Sequence, residues 1–218
     1  MGAPPPGDDV YRRPLRDALG CVAVGPGWHC ADVGAGVGDV TLALADLVGP
    51  TGRVYGVDRS AAACDELAKR SAEAGASQVV PLVQAAEDLE LPEQVDLAYC
   101  RFLLMHVAEP YAVWSRLVAA TRKGGFVLAQ EPITSGGRVG GVALSMPDVP
   151  HPDVGALLPG YAIGTGCTIV AAWAEAPAGA GPGPVAAYLA DLTGVDPGDD
   201  PIVLPALVTV VAQKPKTP

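Results

Sequence analysis

From residue 28 onward, short apolar runs alternate with stretches whose apolar residues recur at helical spacing. Residues 29–33 form an apolar run that predicts a buried strand, followed directly by Gly34-Ala35-Gly36-Val37-Gly38. Val40, Leu42, Ala43, Leu44, Leu47 and Val48 then give a helix with one face to bury, stopped by Gly49-Pro50 and Gly52. Residues 53–57 are the next strand, with Asp58 at its end, and residues 61–74 a helix that Ser60 caps and Gly75 terminates. Residues 79–84 and 95–100 predict the third and fourth strands, and 110–122 a helix with Val113, Trp114, Leu117 and Val118 as its buried stripe. Lys123-Gly124-Gly125 turns the chain into a fifth strand at 126–130. This alternation predicts an α/β fold, a doubly wound seven-stranded and mostly parallel sheet.

Beyond residue 131 the pattern weakens. Residues 132–166 are rich in glycine and proline, and only residues 154–158 suggest a turn or two of helix. The expectation here is an abbreviated lid loop, hence a reduced cap. Residues 167–173 read as strand six, 175–184 as an Ala/Gly/Pro linker, 185–192 as a short helix and 206–212 as strand seven. At the other end, residues 1–9 read as a flexible tail by composition. Residues 10–19 read as a short amphipathic flap helix that Pro14 shortens or opens. Residues 1–19 are thus a tail and flap, and 20–218 one domain.

The glycine turn carries the candidate chemistry. Glycines there let the backbone bend and approach a ligand, and the helix that follows offers unpaired N–H groups. Asp58, at the end of the second strand, suits the two hydroxyls of a ribose. A dinucleotide fingerprint would place its third glycine at residue 39, which is Asp39. An acid there is unfavourable beside a pyrophosphate. Asp32 before the turn instead suits a ligand bearing an ammonium and no phosphate, which describes S-adenosylmethionine (SAM). A dinucleotide, or a tight turn with no ligand, are the competing readings. Ala86 and Glu87 follow the third strand at the same sheet edge, where their backbone would meet an adenine.

Composition narrows the classes. Twenty-four acidic against 14 basic residues give a formal charge of −10, which argues against a nucleic-acid partner. Cys21, Cys30, Cys64, Cys100 and Cys167 are scattered, odd in number and form no CxxC pair, so a reduced cytoplasmic chain without a metal site is expected. The beginning of the sequence is proline-rich and acidic and does not read as a signal peptide. Residues 154–174 hold no charge, but four glycines and Pro159 within them favour a buried loop and strand over a membrane span.

The stretches GPGWHCADVGAGVGDVTLALADLVGPTGRVYGVD, VQAAEDL, VDLAYCRFLLMHVAEP and KGGFVLAQEP, together covering about residues 20–132, resemble class I SAM-dependent methyltransferases. The likeness is to the small-molecule type common in actinomycete secondary metabolism. It implies that Asp32 and the turn at Gly34, Ala35, Gly36 and Gly38 hold the methionine part of SAM, and that Asp58 holds its ribose. It sets Arg59 beside the adenine and Cys100-Arg101 across from the methionine moiety. Tyr11 and the arginines of the flap read, from the residues alone, either as closing over the ligand or as a solvated flap. Many relatives have an aspartate where this chain has Ala85, which leaves adenine recognition to backbone groups and Glu87. The expected reaction is methyl transfer to oxygen or nitrogen of a small, aromatic or polyketide-like acceptor, with S-adenosylhomocysteine (SAH) as product. The alternative is a cyclase, decarboxylase or partner subunit that binds SAM without methyl transfer.

Methyl transfer needs an aligned nucleophile, exclusion of water and one proton acceptor. Three side chains are candidates. His151, set between prolines in the lid stretch, is the expected general base, or else a surface-loop histidine. His106, after strand four, is expected to shape the floor of the acceptor pocket or to pack at a helix start. Glu131, at the end of strand five, accepts a proton, orients a hydroxyl or caps the loop. So sparse a cap is expected to be completed by a second copy of the chain or by a partner protein.

Overall fold

The computed structural model describes residues 6–144 and 149–216. Its main sheet has seven strands, in chain order β1 (His29–Val33), β2 (Arg53–Asp58), β3 (Val79–Val83), β4 (Val95–Arg101), β5 (Thr121–Ile133), β8 (Thr168–Glu175) and β11 (Ala206–Gln213). The spatial order is β3-β2-β1-β4-β5-β11-β8. The first five pair in parallel, and β11 inserts antiparallel between β5 and β8. The expected doubly wound, mostly parallel sheet of seven strands is therefore the observed fold.

Strands buried on both faces read as continuous apolar runs, because alternate residues point into two different cores. Leu97 and Tyr99 face one core and Ala98 and Cys100 the other; in β5, Leu128 opposes Val127 and Ala129. The first core is closed by α1 (Pro6–Val22) and α2 (Asp39–Val48) through Leu15, Ala18, Leu19, Leu44 and Val48. The second is closed by α4 (Pro110–Ala120) and α5 (Leu158–Gly164) through Val113, Trp114, Leu117, Leu158 and Ala162. Against α3 (Ala61–Glu73), the start of α2 and the middle of β2 pack so closely that a Cβ at Gly38 or at Gly56 would strike the Leu67 side chain.

Several elements differ from the sequence expectations. The N-terminal helix starts at Pro6, so residues 6–9, read as tail, are helical, while residues 1–5 lie outside the described part. Pro14 sits inside this helix rather than shortening it. Its carbonyl accepts a bond from the buried Gln130 Nε2, whose amide oxygen takes the Tyr99 hydroxyl, which anchors α1 to the sheet. Helix α4 ends at Ala120, and the segment read as its last turn opens β5. Residues 132–166 contain α5, where the i, i+4 pair Leu158 and Ala162 is buried and Pro159 sits in the first turn.

The reduced cap is also more ordered than a loop. Strands β6 (Arg138–Val139), β7 (Val142–Ala143), β9 (Ala178–Gly179) and β10 (Ile202–Val203) form a second sheet in the order β7-β6-β10-β9. With α6 (Pro184–Thr193) it encloses a small core of Leu189, Ile202 and Leu204, on which Val10 of α1 also packs. The stretch read as a linker thus supplies β9, and the segments that build the cap come from four separate parts of the chain.

Candidate functional site

The C-terminal ends of β1, β2 and β4 lie side by side and deliver three segments to one edge of the sheet. The first is the glycine turn. Gly34, Gly36 and Gly38 all have positive φ (79°, 53° and 94°), and the Gly34 and Ala35 N–H groups donate to the Val57 carbonyl at 2.8 and 3.0 Å. Gly36 N–H donates to Asp58 Oδ2 at 2.8 Å, and Ser60 N–H to Oδ1 at 2.9 Å. Each carboxylate oxygen retains acceptor capacity beyond those bonds. Nothing lies within 4 Å of where a Gly36 Cβ would be, so the turn is open above that residue.

Asp58 lines a cleft of about 300 Å³ with Gly34, Arg59, Gln84, Ala86, Glu87 and Leu103. An acid able to accept from a vicinal diol, an arginine and an apolar wall at one sheet edge fit a nucleoside. Gln84, which the sequence reading passed over, sits immediately after β3.

Next to this cleft lies a second, apolar one of about 180 Å³. Its walls are Tyr11 from α1, Tyr188 and Leu192 from α6, Pro132 and Pro205 from the sheet edge, Val149, and Phe102, Met105 and His106 from the turn after β4. Tyr11 packs edge-on against both Phe102 (5.0 Å between centroids) and Tyr188 (5.3 Å). Phe102 and His106 line both clefts. Phe102 has a φ of 53°, a left-handed conformation that a bulky residue adopts only when its surroundings enforce it.

The remaining candidates fall in different places. Asp32 is 2 % exposed and accepts the Thr41 hydroxyl at 2.6 Å. Burial pushes its carboxyl up to about 6 against the Thr41 bond and the nearby Arg101 charge. Cys100 is wholly buried, and burial raises its thiol well above the ordinary range. The Arg101 guanidinium lies about 6 Å over the Tyr11 and Phe102 rings and lines a third, polar cleft with Arg12, Asp39 and Arg70. Tyr11 belongs to the apolar cleft rather than to the Asp58 cleft, and burial raises its phenol.

The two histidines separate. His106 stands between the clefts, exposed on its outer side, where partial burial against the cleft walls and the Arg59 charge lower its imidazole from the ordinary value. His151 lines neither cleft; its Nε2 is 3.2 Å from the Ala108 carbonyl and its backbone N–H donates to Met105. Glu131 is completely buried and lines neither cleft; burial pushes its carboxyl up to about 7 despite bonds from the backbone. Among the described residues no group of three His, Cys, Asp or Glu side chains is placed to hold a metal ion, and no helix is long and apolar enough to cross a membrane.

Residues 30–125 match the family model described as a methyltransferase domain. A search of curated proteins finds no match. Among solved structures, the chain is similar to a SAM-dependent methyltransferase from Aquifex aeolicus, at 16 % identity and a TM-score of 0.64, covering 97 % of this chain and 99 % of that one. It is similar to magnesium protoporphyrin IX methyltransferase from Synechocystis with bound SAM, at 15 % identity and TM-score 0.61, covering 96 % and 80 %. It is also similar to the [4+2]-cyclase SpnF, at 18 % identity and TM-score 0.66, covering 93 % and 81 %. At these identities the likeness shows the fold.

Proposed function

We propose that the chain is a SAM-dependent methyltransferase, with S-adenosylmethionine as its cofactor, that methylates oxygen or nitrogen of a small, largely apolar acceptor; the methyltransferase-domain match over residues 30–125 and the likeness to SAM-dependent methyltransferase structures support this reading. One observation carries this reading: the Asp58 cleft and the apolar cleft share the two residues Phe102 and His106. A nucleoside held on one side and an acceptor on the other would meet across that pair.

In this reading Asp58 accepts the ribose hydroxyls, and Ala86 and Glu87 border the base. The apolar walls and three aromatic rings favour an aromatic or polyketide-like acceptor. Bound SAM supplies an activated methyl group. The protein need only align the acceptor, exclude water and receive a proton. His106 suits the last task, because its lowered pKa keeps the ring neutral, and so able to accept a proton, at neutral pH. This moves the general-base role from His151 to His106. A role in secondary metabolism, a cytoplasmic location and completion of the cap by a second copy are parts of the same proposal. The last is supported by Val142, 72 % exposed on the outer strand of the small sheet.

The likeness to a [4+2]-cyclase, together with an acceptor cleft walled mainly by apolar side chains, supports a second reading in which SAM is bound but not consumed. The test is to incubate the protein with methyl-labelled SAM and a panel of phenols, aromatic acids and amines. Equimolar SAH and labelled product support methyl transfer. Tight SAM binding with no SAH formed across the panel would favour the second reading.

A further inference from the structure

Glu131 is 0 % exposed and has no basic partner among the ion pairs of the described residues. A buried carboxyl group is costly, so its retention calls for a structural reason. Its Oε1 accepts the N–H groups of both Leu103 and Leu104 at 2.9 Å. Just before them, Phe102 N–H donates to the Gln130 carbonyl at 3.1 Å. Three consecutive peptide groups after β4 are thus tied to two consecutive residues of β5. The tied turn carries Phe102, with its positive φ, and His106, whose N–H closes on the Leu103 carbonyl at 2.9 Å. The other oxygen, Oε2, is buried and has no hydrogen-bond partner. The turn at Val154–Leu157 packs closely on the backbone of β5 here: a Cβ at Gly155 would come within 2.5 Å of the Glu131 carbonyl oxygen.

We infer that Glu131 is a positioning residue, which through Oε1 sets the turn that holds Phe102 and His106 between the two clefts. It touches neither cleft and acts on both through that turn. The role needs an acceptor at Oε1 and not a charge, since a proton on the orphaned Oε2 leaves Oε1 free to receive both amides. Glutamine, whose amide oxygen can take the Oε1 place, therefore preserves the function, while methionine, of similar length but without the acceptor, removes it. The inference concerns the turn itself and stands whether or not the acceptor is the one proposed above.

The experiment is NMR of the full chain, following the Leu103 and Leu104 amides and the His106 ring proton against pH. In the wild type both amides should follow one shared step near pH 7, moving downfield as Glu131 ionises and becomes a stronger acceptor. Asp32, raised to about 6, is bonded to the Thr41 hydroxyl and not to this turn, and its step persists in E131Q. The Cys100 thiol, 4.0 Å from Oε1, is held far above this range, and His151 is turned toward the Ala108 carbonyl. His106 has its own titration, below 6.5. E131Q should abolish the shared step and leave the His106 midpoint in place. E131M should shift both amides upfield and raise the His106 midpoint as the turn no longer holds the ring beside Arg59 and the cleft walls. Amides and His106 unchanged in E131M would overturn the inference. Should E131M not fold, the wild-type titration decides alone: two amides without a common step would overturn it equally.

Discussion

Replacing Asp58 by alanine tests the placement of the cofactor most directly. The carboxylate is fixed by two backbone donors, Gly36 N–H at 2.8 Å and Ser60 N–H at 2.9 Å, so its orientation exists before any ligand arrives. Both oxygens keep acceptor capacity, and Asp58 lines the 300 Å³ cleft, where a vicinal diol would donate to it. A hydrogen bond to a charged acceptor contributes roughly 1.5–3 kcal/mol, which converts to a loss of about 10- to 100-fold in affinity for D58A. D58N should fall between, because the amide keeps one acceptor oxygen but presents donors to a hydroxyl or to Gly36. Asp58 is only half-buried and Gly36 and Ser60 can turn to water, so global stability should change little. Calorimetric titration with SAH, beside a urea unfolding curve, separates the two effects. SAH affinity of D58A within twofold of wild type, with the fold intact, would remove Asp58 from the site and refute this orientation of the nucleoside.

Further expectations follow from the same geometry. H106A should lower kcat by about 10²-fold or more with SAH affinity preserved, whereas H151A should stay within threefold of wild type; the reverse pattern in steady-state assays would return the general base to His151. Asp32 and Glu131 both have folded-state pKa values raised, to about 6 and about 7, so between roughly pH 4 and 7 the folded chain holds more protons than the unfolded one. Stability should therefore fall as pH rises through that window, and urea midpoints that climb instead would contradict the burial of these two carboxyls. G38A should cost about 2 kcal/mol or more, since it forces a positive φ on alanine and drives a methyl group into Leu67; a thermal midpoint unchanged from wild type would refute it. Light scattering at micromolar concentration should report a dimer, and a monomer with full turnover would rule out a second copy as part of the cap.

The sheet was legible because its strands are buried on both sides. Residues 29–33, 53–57 and 95–100 have no polar face, so their apolar runs stand out and the helices between them show the other period. The glycine turn and Asp58 were legible for a related reason: left-handed backbone and a strand-ending acid leave marks in residue type alone. Helix boundaries were less so. Leu117 and Val118 carry the apolar stripe of α4 to within a turn of Thr121, and only the pairing of Val95 with Thr121 shows that the chain has already become strand there.

The apolar cleft was not legible, because no local pattern encodes it. Tyr11 and Tyr188 lie 177 positions apart and meet only because Gln130 pins α1 to β5 while the cap core of Leu189, Ile202 and Leu204 holds α6. Two-residue strands such as Arg138–Val139 and Ile202–Val203 are too short for a period-2 signal, so the glycines and prolines around them read as loop. The histidines show the consequence. Chain position put His151 in the lid and His106 on the pocket floor; His106 does line both clefts, whereas His151 lines neither. Because the cap is assembled from distant segments over the turn after β4, that turn becomes the wall common to both clefts. Phe102 and His106 stand on it, and Glu131, expected at the pocket face, lies behind them, bonded to the backbone of the same turn.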